Sequence, residues 1–249
     1  MKRAIIIGAS SGIGRAVASL LVERGWHIAI TARRSEALDE LRVMYGADRV
    51  MTMPMDVTKQ EATSQLDKLL SEFGAPDLFF YASGRGGQNR ELDIEKELDI
   101  IRTNCEGMVR VVDHFVNYVR SSTDYNKRHK AHIAIITSVA GTRGIGTAAA
   151  YSASKAMQSE YISALSQLCF MENIPARFTD IRPGFVKTAI LNPEKHYPML
   201  ISVERAAQHI LRGLKRRKRV LIFDWRFKLL VLFWHLIPRF VWERLSIKN

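Results

Sequence analysis

Tyr151 and Lys155 stand four residues apart in an Ala/Ser-rich stretch, and Ser138 stands thirteen residues before the tyrosine. If the stretch from Tyr151 onward is helical, Tyr151 and Lys155 share one face. An ammonium beside a phenol favours the phenolate and lowers its pKa from about 10. Tyr151 then becomes a usable proton donor and acceptor near neutral pH. Ser138 can hydrogen-bond the same substrate oxygen from across the intervening Gly-rich loop. A Tyr and a Lys at this spacing are common on ordinary helix surfaces, so the pair needs support from elsewhere in the chain.

That support begins at the N-terminus. Lys2 to Ile7 reads as a short buried strand, Gly8-Ala-Ser-Ser-Gly12-Ile-Gly14 follows directly, and an apolar helical pattern from Gly14 runs up to Gly25 as its C-cap. Strand, glycine turn and helix form the context in which backbone can approach a pyrophosphate, with free N–H groups at the helix start. The spacing G-x-x-x-G-x-G differs from the general G-x-G-x-x-G fingerprint. His27 to Ala32 reads as a second strand ending in Arg33 and Arg34. An NAD-selective site places an acid near this point to hold the ribose hydroxyls; two guanidiniums suit the 2′-phosphate of NADP instead.

Further strands are expected at Val50–Met55, Leu78–Tyr81, Ile133–Thr137, Ala176–Ile181 and Val220–Phe223. Helices are expected over 58–73, 94–120, 151–171 and 203–214, with Ser121 to Lys130 as a surface insertion. The alternation predicts a three-layer, doubly wound, Rossmann-like parallel sheet of about seven strands in one α/β domain. On such sheets ligands bind beyond the carboxyl ends of the strands. Gly8, Asp56, Gly84, Ser138 and Pro183 all fall at those ends. Asn104 lies inside an expected helix, where Asn is a poor fit because its side chain competes for backbone hydrogen bonds. A local helix distortion and a plain polar position are both open there.

Composition sets the outer bounds. The 249 residues are 47% hydrophobic and 25% charged, an ordinary soluble balance. Two cysteines are too few for a disulfide framework and suit a reducing, cytoplasmic setting; no Cys/His cluster has metal-ligand spacing. The apolar run before Gly8 is too short for a signal peptide. The net charge is +12, and +8 of it lies from Lys215 onward. The run Lys215–Arg219 has no nucleic-acid module beside it and reads as a solvated loop, so no nucleic-acid partner is expected.

Together these motifs resemble the short-chain dehydrogenase/reductase family over residues 1 to about 223. Gly8-x3-Gly12-Ile13-Gly14 is similar to its TGxxxGIG cofactor loop. Asn104, Ser138, Tyr151 and Lys155 are similar to its catalytic Asn-Ser-YxxxK set. Asp56 matches its adenine-contacting Asp, and Pro183-Gly184 with Thr188 match its nicotinamide-carboxamide loop. The sequence departs from the family at Ile7 (Thr there), at Tyr81-Ala-Ser-Gly84 (Asn-Asn-Ala-Gly there) and in its aromatic-basic tail.

The resemblance implies hydride transfer between a nicotinamide and a carbonyl or secondary alcohol. Tyr151 is then the general acid/base, Ser138 the hydrogen-bond partner of the substrate oxygen, and Lys155 the group that lowers the Tyr151 pKa and binds the ribose. Asn104 would hold a relay water. It further implies NADP(H) contacts from Gly8, Ser10, Ser11, Gly12, Ile13, Gly14, Arg33, Arg34, Asp56, Val57, Gly84, Tyr151, Lys155, Pro183, Gly184, Val186 and Thr188. A lid is expected over 185–201, whose Phe185, Ile190, Leu191, Tyr197, Met199 and Leu200 suit an apolar carbonyl substrate. A homodimer or homotetramer is expected. The competing reading is a non-enzymatic NADP-binding scaffold or sensor; the intact catalytic set counts against it.

The tail, 224–249, has Trp225, Trp234 and Trp242 in an aliphatic and basic segment. Its unbroken apolar run, Leu229–Trp234, is far short of the ~20 residues a spanning helix needs. Two readings stand: packing of the tail on the domain or a sister subunit, and peripheral contact with the inner membrane surface through 225–247.

Overall fold

The structure, a computed structural model, describes residues 2–191, 194 and 196–246. Asn192, Pro193 and Lys195 of the expected lid, and Ile247 to Asn249 of the tail, lie outside the described residues.

Seven parallel strands form one sheet: β1 (Arg3–Ile7), β2 (His27–Ala32), β3 (Val50–Pro54), β4 (Leu78–Tyr81), β5 (Ala131–Ile136), β6 (Ala176–Ile181) and β7 (Val220–Leu221). Their order is β3-β2-β1-β4-β5-β6-β7. Strands in such a sheet are covered on both faces, so they are apolar nearly throughout, and successive residues divide between two cores. In β1, Ile5 and Ile7 enter one core while Ala4 and Ile6 enter the other. The first core packs under α3 (Ala62–Phe73), α5 (Gly107–Ser121) and α6 (Ala149–Met171). The second packs under α1 (Gly12–Glu23), α2 (Ser35–Tyr45) and α7 (Val203–Lys215). The strand order reverses between β1 and β4, and this switch point opens a crevice at the carboxyl edge.

The expected doubly wound sheet is therefore present, with local differences. The helix expected over 58–73 starts at Ala62, because Thr58 turns back to hydrogen-bond Asp56. The helix expected over 94–120 is broken into α4 (Ile94–Ile101), a π-helical turn at Arg102–Glu106, and α5. The Gly107 N–H reaches back to the Arg102 carbonyl across that turn. Asn104 thus marks a helix distortion, as one of its two readings allowed. The insertion 121–130 is not wholly a surface feature: Tyr125 is buried and its hydroxyl donates to the Pro76 carbonyl at 2.8 Å. Strand β7 is two residues long, shorter than expected. Gly25 sits just past α1 with φ +82°, the left-handed geometry a helix stop requires.

The tail forms α8 (Trp225–Leu236) and α9 (Arg239–Trp242). Phe227 and Val231 are buried with Val139 in a small separate core. Among the described residues, no helix is long and apolar enough to cross a membrane.

Candidate active site

A cleft of about 610 Å³ lies along the carboxyl edge of the sheet. Every residue expected to touch a cofactor lines it, as does Ser138; Asn104 does not.

One end of the cleft is made of bare backbone. Gly8 has φ +91°, and a Cβ there would stand 2.6 Å from the Ser83 nitrogen. A Cβ on Gly14 would stand 2.1 Å from the Gly8 carbonyl oxygen. Gly12 has φ +56° and packs toward Thr188. Backbone contact excludes a side chain at Gly8 and Gly14, and the left-handed φ disfavours one at Gly12, leaving a cradle in which main-chain N–H groups can face an anion. Ser10 and Ile13 line the same cradle. Ser11 is the N-cap of α1, yet its side chain makes no capping hydrogen bond, so the first-turn N–H groups are not closed off by it. Arg33 and Arg34 follow β2, exposed, and no carboxylate ends that strand.

Asp56 ends the third strand region, and Val57 beside it is buried. Burial alone would raise the Asp56 pKa. Hydrogen bonds from the Thr58 N–H (3.0 Å) and hydroxyl (2.8 Å), with the charges of Arg33 and Lys59, more than offset this and hold it below the usual range. The carboxylate is thus fixed, charged and beside the Arg33 guanidinium.

The reactive end is assembled from elements far apart in the chain. Ser138 follows β5 in extended backbone and caps a short 3₁₀ turn through the Ala140 N–H. Tyr151 and Lys155 project from the first turns of α6. Glu97 on α4 closes that helix start by accepting from the Ala150 N–H at 2.7 Å. The loop after β4 passes over the phenol, where Gly86 leaves no room for a side chain against the Tyr151 ring.

The electrostatics differ from the expectation. Burial raises the Tyr151 pKa, and the hydrogen bond with Ser138 offsets part of the rise. Lys155 does not pull it down in this arrangement. Its Nζ lies 5.9 Å from the ring centroid and donates to the Gln158 Oε1 at 2.8 Å and the Ile136 carbonyl at 3.1 Å. Burial lowers the Lys155 pKa to about 8, with Cys105 and Asp180 acting the other way. Both groups remain in their protonated forms near pH 7.

Asn104 is completely buried, and its side chain ties the loop after β4 to α6. Its Oδ1 accepts from the Arg85 N–H at 2.7 Å, and its Nδ2 donates to the Arg85 carbonyl at 2.8 Å and the Ser154 Oγ at 2.9 Å. Its main-chain carbonyl accepts from the Gln158 Nε2 at 2.8 Å. The structure thus places Asn104 behind the cleft rather than in its wall.

The last part comes from β6. The Pro183 carbonyl accepts from the Val139 N–H at 3.0 Å, joining this loop to the one after Ser138. Gly184 is seated against the Phe227 ring of α8, at a distance that admits no Cβ. The lid is tied at both ends by the Val186–Ile201 bridge. Of the apolar lid residues, Ile190 and Leu191 line the cleft. Phe185 and Met199 instead pack on the tail's core, Tyr197 rests on Phe185, and Leu200 is exposed.

Several groups at this site were not legible in the sequence. Asp180 is 3% exposed and accepts from the Thr137 hydroxyl at 2.5 Å and from the Arg182 Nε at 2.7 Å. Gln158 and Glu97 act across 54 and 53 residues of chain. None has a local pattern; only the proximity of a polar residue to the Y-x-x-x-K stretch could have drawn attention to Gln158.

The fold and cleft define a nucleotide-crevice α/β protein of the oxidoreductase kind. Comparison with known proteins agrees. The family model "short chain dehydrogenase" matches residues 2–197. An uncharacterized oxidoreductase of Myxococcus xanthus is 32% identical over 232 residues, covering 90% of this chain and 88% of its own. A glycine betaine reductase of Emericella nidulans is 31% identical over 198 residues, 76% of this chain but 15% of that much longer protein. A short-chain dehydrogenase structure from Streptomyces avermitilis superposes with a TM-score of 0.79 at 24% identity, covering 95% and 93% of the two chains. The chain belongs to the short-chain dehydrogenase family, whose members are oxidoreductases that use nicotinamide cofactors. The side-chain-free cradle at Gly8, Gly12 and Gly14 fits the pyrophosphate of such a cofactor.

Proposed function

We propose that this protein is an NADP(H)-dependent reductase/dehydrogenase acting on an apolar carbonyl or the matching secondary alcohol. Residues 1–223 form the reductase domain and 224–249 a C-terminal tail, of which Phe227 and Val231 pack beside the site. The observation that carries the reading is the shared cleft: a backbone cradle at one end, and Ser138, Tyr151 and Lys155 together at the other.

When bound, the nicotinamide would supply or accept the hydride. Gly8 to Gly14 would hold its pyrophosphate, Asp56 and Val57 its adenine end, and Gly84, Pro183, Gly184, Val186 and Thr188 its nicotinamide end. Tyr151, protonated at neutral pH, donates its phenolic proton to the substrate oxygen as negative charge develops there. Ser138 donates a second hydrogen bond to that oxygen. Lys155, charged below about pH 8, offers donors to the ribose hydroxyls, and it stabilises the phenolate that Tyr151 leaves behind only once its ammonium swings from Gln158 and the Ile136 carbonyl toward the phenol oxygen. Asn104 holds the Gly84–Arg85 loop in register with α6. Ile190 and Leu191 make the substrate side of the cleft apolar. A homodimer or homotetramer belongs to the same reading.

The direct test is consumption of NADPH with long-chain ketones, steroids, quinones and small aldehydes. No turnover with any of them, alongside normal NADPH binding, would favour the scaffold reading instead.

Cofactor choice has its own test. Charge-assisted hydrogen bonds contribute about 1.5–3 kcal/mol. Arg33, with Arg34 and Ser10 nearby, should therefore favour NADP over NAD by roughly ten- to a hundredfold. Arg33→Ala should remove most of that preference while leaving NAD affinity nearly unchanged. Calorimetric titration of both cofactors against both proteins reads it; equal wild-type affinities, or an unaltered ratio in the variant, count against the assignment.

A further inference from the structure

Helix α8 has two apolar faces, and the domain covers only one. On the inner face, Phe227 and Val231 are buried against Val139, with the Phe227 ring set on Gly184. Arg143 clamps the end of the helix, donating to the carbonyls of Trp234 (3.1 Å), His235 (3.2 Å) and Ile237 (2.7 Å). The Trp242 Nε1 donates to the Gly144 carbonyl at 2.8 Å. At about 100° per residue, Trp225, Leu229, Leu232, Phe233 and Leu236 fall on the opposite side of α8. They are between 43% and 70% exposed, and Phe240 on α9 is 63% exposed. Arg226 and Lys228 flank this strip on its two sides, both exposed; Arg226 is paired with Asp224 at 2.7 Å, while Lys228 faces solvent. Lone exposed apolar residues are ordinary, but a contiguous strip of this kind marks a docking surface.

We propose that the outer face of α8 and α9 docks on an anionic lipid bilayer. Tryptophan, phenylalanine and leucine flanked by cations suit the headgroup boundary, where rings partition and basic side chains reach lipid phosphates. The net charge of +12 favours an anionic rather than a neutral surface. A twelve-residue helix is too short to span a membrane and must lie along it. Because α8 packs directly on Val139 and Gly184, beside Ser138 and Pro183, docking brings the cleft close to the bilayer. The delivery of an apolar carbonyl from the lipid rests on the proposed function; the docking itself does not.

The test reads binding, not turnover, so the two readings fail separately. The full chain is sedimented at low salt with phosphatidylglycerol/phosphatidylcholine vesicles and with phosphatidylcholine alone. Wild type should pellet with the anionic vesicles, much less with the neutral ones, and less as salt rises. The double substitution Leu232→Glu/Phe233→Glu alters only side chains outside the packed face, so it should keep the melting temperature while binding at least tenfold more weakly. Lys228→Glu, which leaves every apolar residue in place, should also weaken binding. Wild type that stays in the supernatant, or a double variant that pellets as wild type does, overturns the proposal. So does a wild-type dimer that the double variant turns into monomer when neither binds vesicles, which would assign the face to a second copy.

A separate observation concerns Gln158. It is fully buried, and its amide joins Lys155 Nζ to the Asn104 carbonyl, with contacts of 2.8 Å on each side. We infer that Gln158 is a positioning residue for Lys155, holding the ammonium toward the π-helical turn. The groups that face Lys155 are Tyr151 on its own helix, the Ile136 carbonyl on β5, Cys105 on the π turn and Asp180 on β6. The Gln158 oxygen stabilises the charged form, so its removal should destabilise it and a carboxylate in its place should do the opposite. In the cofactor-free chain, the Lys155 titration can be followed by NMR of labelled lysine, assigned with Lys155→Met. Gln158→Leu should move the midpoint down from about 8. Gln158→Glu should move it up, by about one pH unit or more. A merely structural role would not produce opposite shifts. Midpoints unchanged in both variants overturn the inference and leave the proposed reaction untouched; moved midpoints in a protein without turnover sink the reaction and leave the inference.

Discussion

Tyr151→Phe lowers kcat by on the order of 10²–10⁴-fold, the range typical of a general acid–base group, and leaves cofactor affinity nearly unchanged. The ring stays, so its packing under Gly86 is preserved; only the hydroxyl that Ser138 engages is lost. Burial keeps this phenol protonated well past neutral pH, which suits donation to a forming alkoxide. The oxidative direction needs the phenolate, and should therefore gain more from high pH than the reductive one. Steady-state rates with NADPH and a turned-over ketone, measured for both proteins across pH, provide the check. Turnover within a fewfold of wild type would remove Tyr151 from the mechanism.

Gly14→Ala damages the cradle itself. The added methyl would stand 2.1 Å from the Gly8 carbonyl oxygen and 3.0 Å from its carbon. Backbone cannot swing aside as a side-chain end can, so β1, the turn and α1 must separate. Overpacking of this kind costs about 3 kcal/mol, the upper part of the usual range. That corresponds to a fall in Tm of roughly 6–12 °C for a chain of this size. Because the same backbone forms the anion cradle, NADP(H) affinity should fall by a hundredfold or more, as a comparable energy is about two decades in binding. Thermal denaturation and cofactor titration measure the two effects. A variant that melts and binds as wild type does would show that Gly8 and Gly14 are not in contact in solution.

Local chemistry was readable without the fold. Gly8, Gly12 and Gly14 carry their meaning in their spacing, since only glycine allows that turn. Strands such as Leu78–Tyr81 and Ala176–Ile181 were bounded correctly because a doubly covered parallel strand must be apolar almost throughout. Tyr151 and Lys155 share a face because α6 has a fixed period. The ambiguity at Asn104 was also real: the residue type signalled trouble in a helix, but a π turn and a solvated side chain look alike in sequence.

Tertiary structure decided what depends on contacts between distant segments. Whether an ammonium lowers a phenol's pKa depends on where it points, and Gln158 and the Ile136 carbonyl hold Lys155 over the Tyr151 ring, 5.9 Å from its centroid. Burial then sets the direction of both shifts, and burial belongs to the assembled cleft rather than to either residue. The tail is the clearest case. Its sequence offered packing or membrane as alternatives because its apolar residues lie all around the helix. Folding splits them: Phe227 and Val231 close on Val139, while Leu229, Leu232 and Leu236 stay outside. Residue type and period determine which side chains can be apolar and share a face. Which face is already covered is settled only when Gly184, seated by a strand more than forty residues earlier, meets the ring of Phe227.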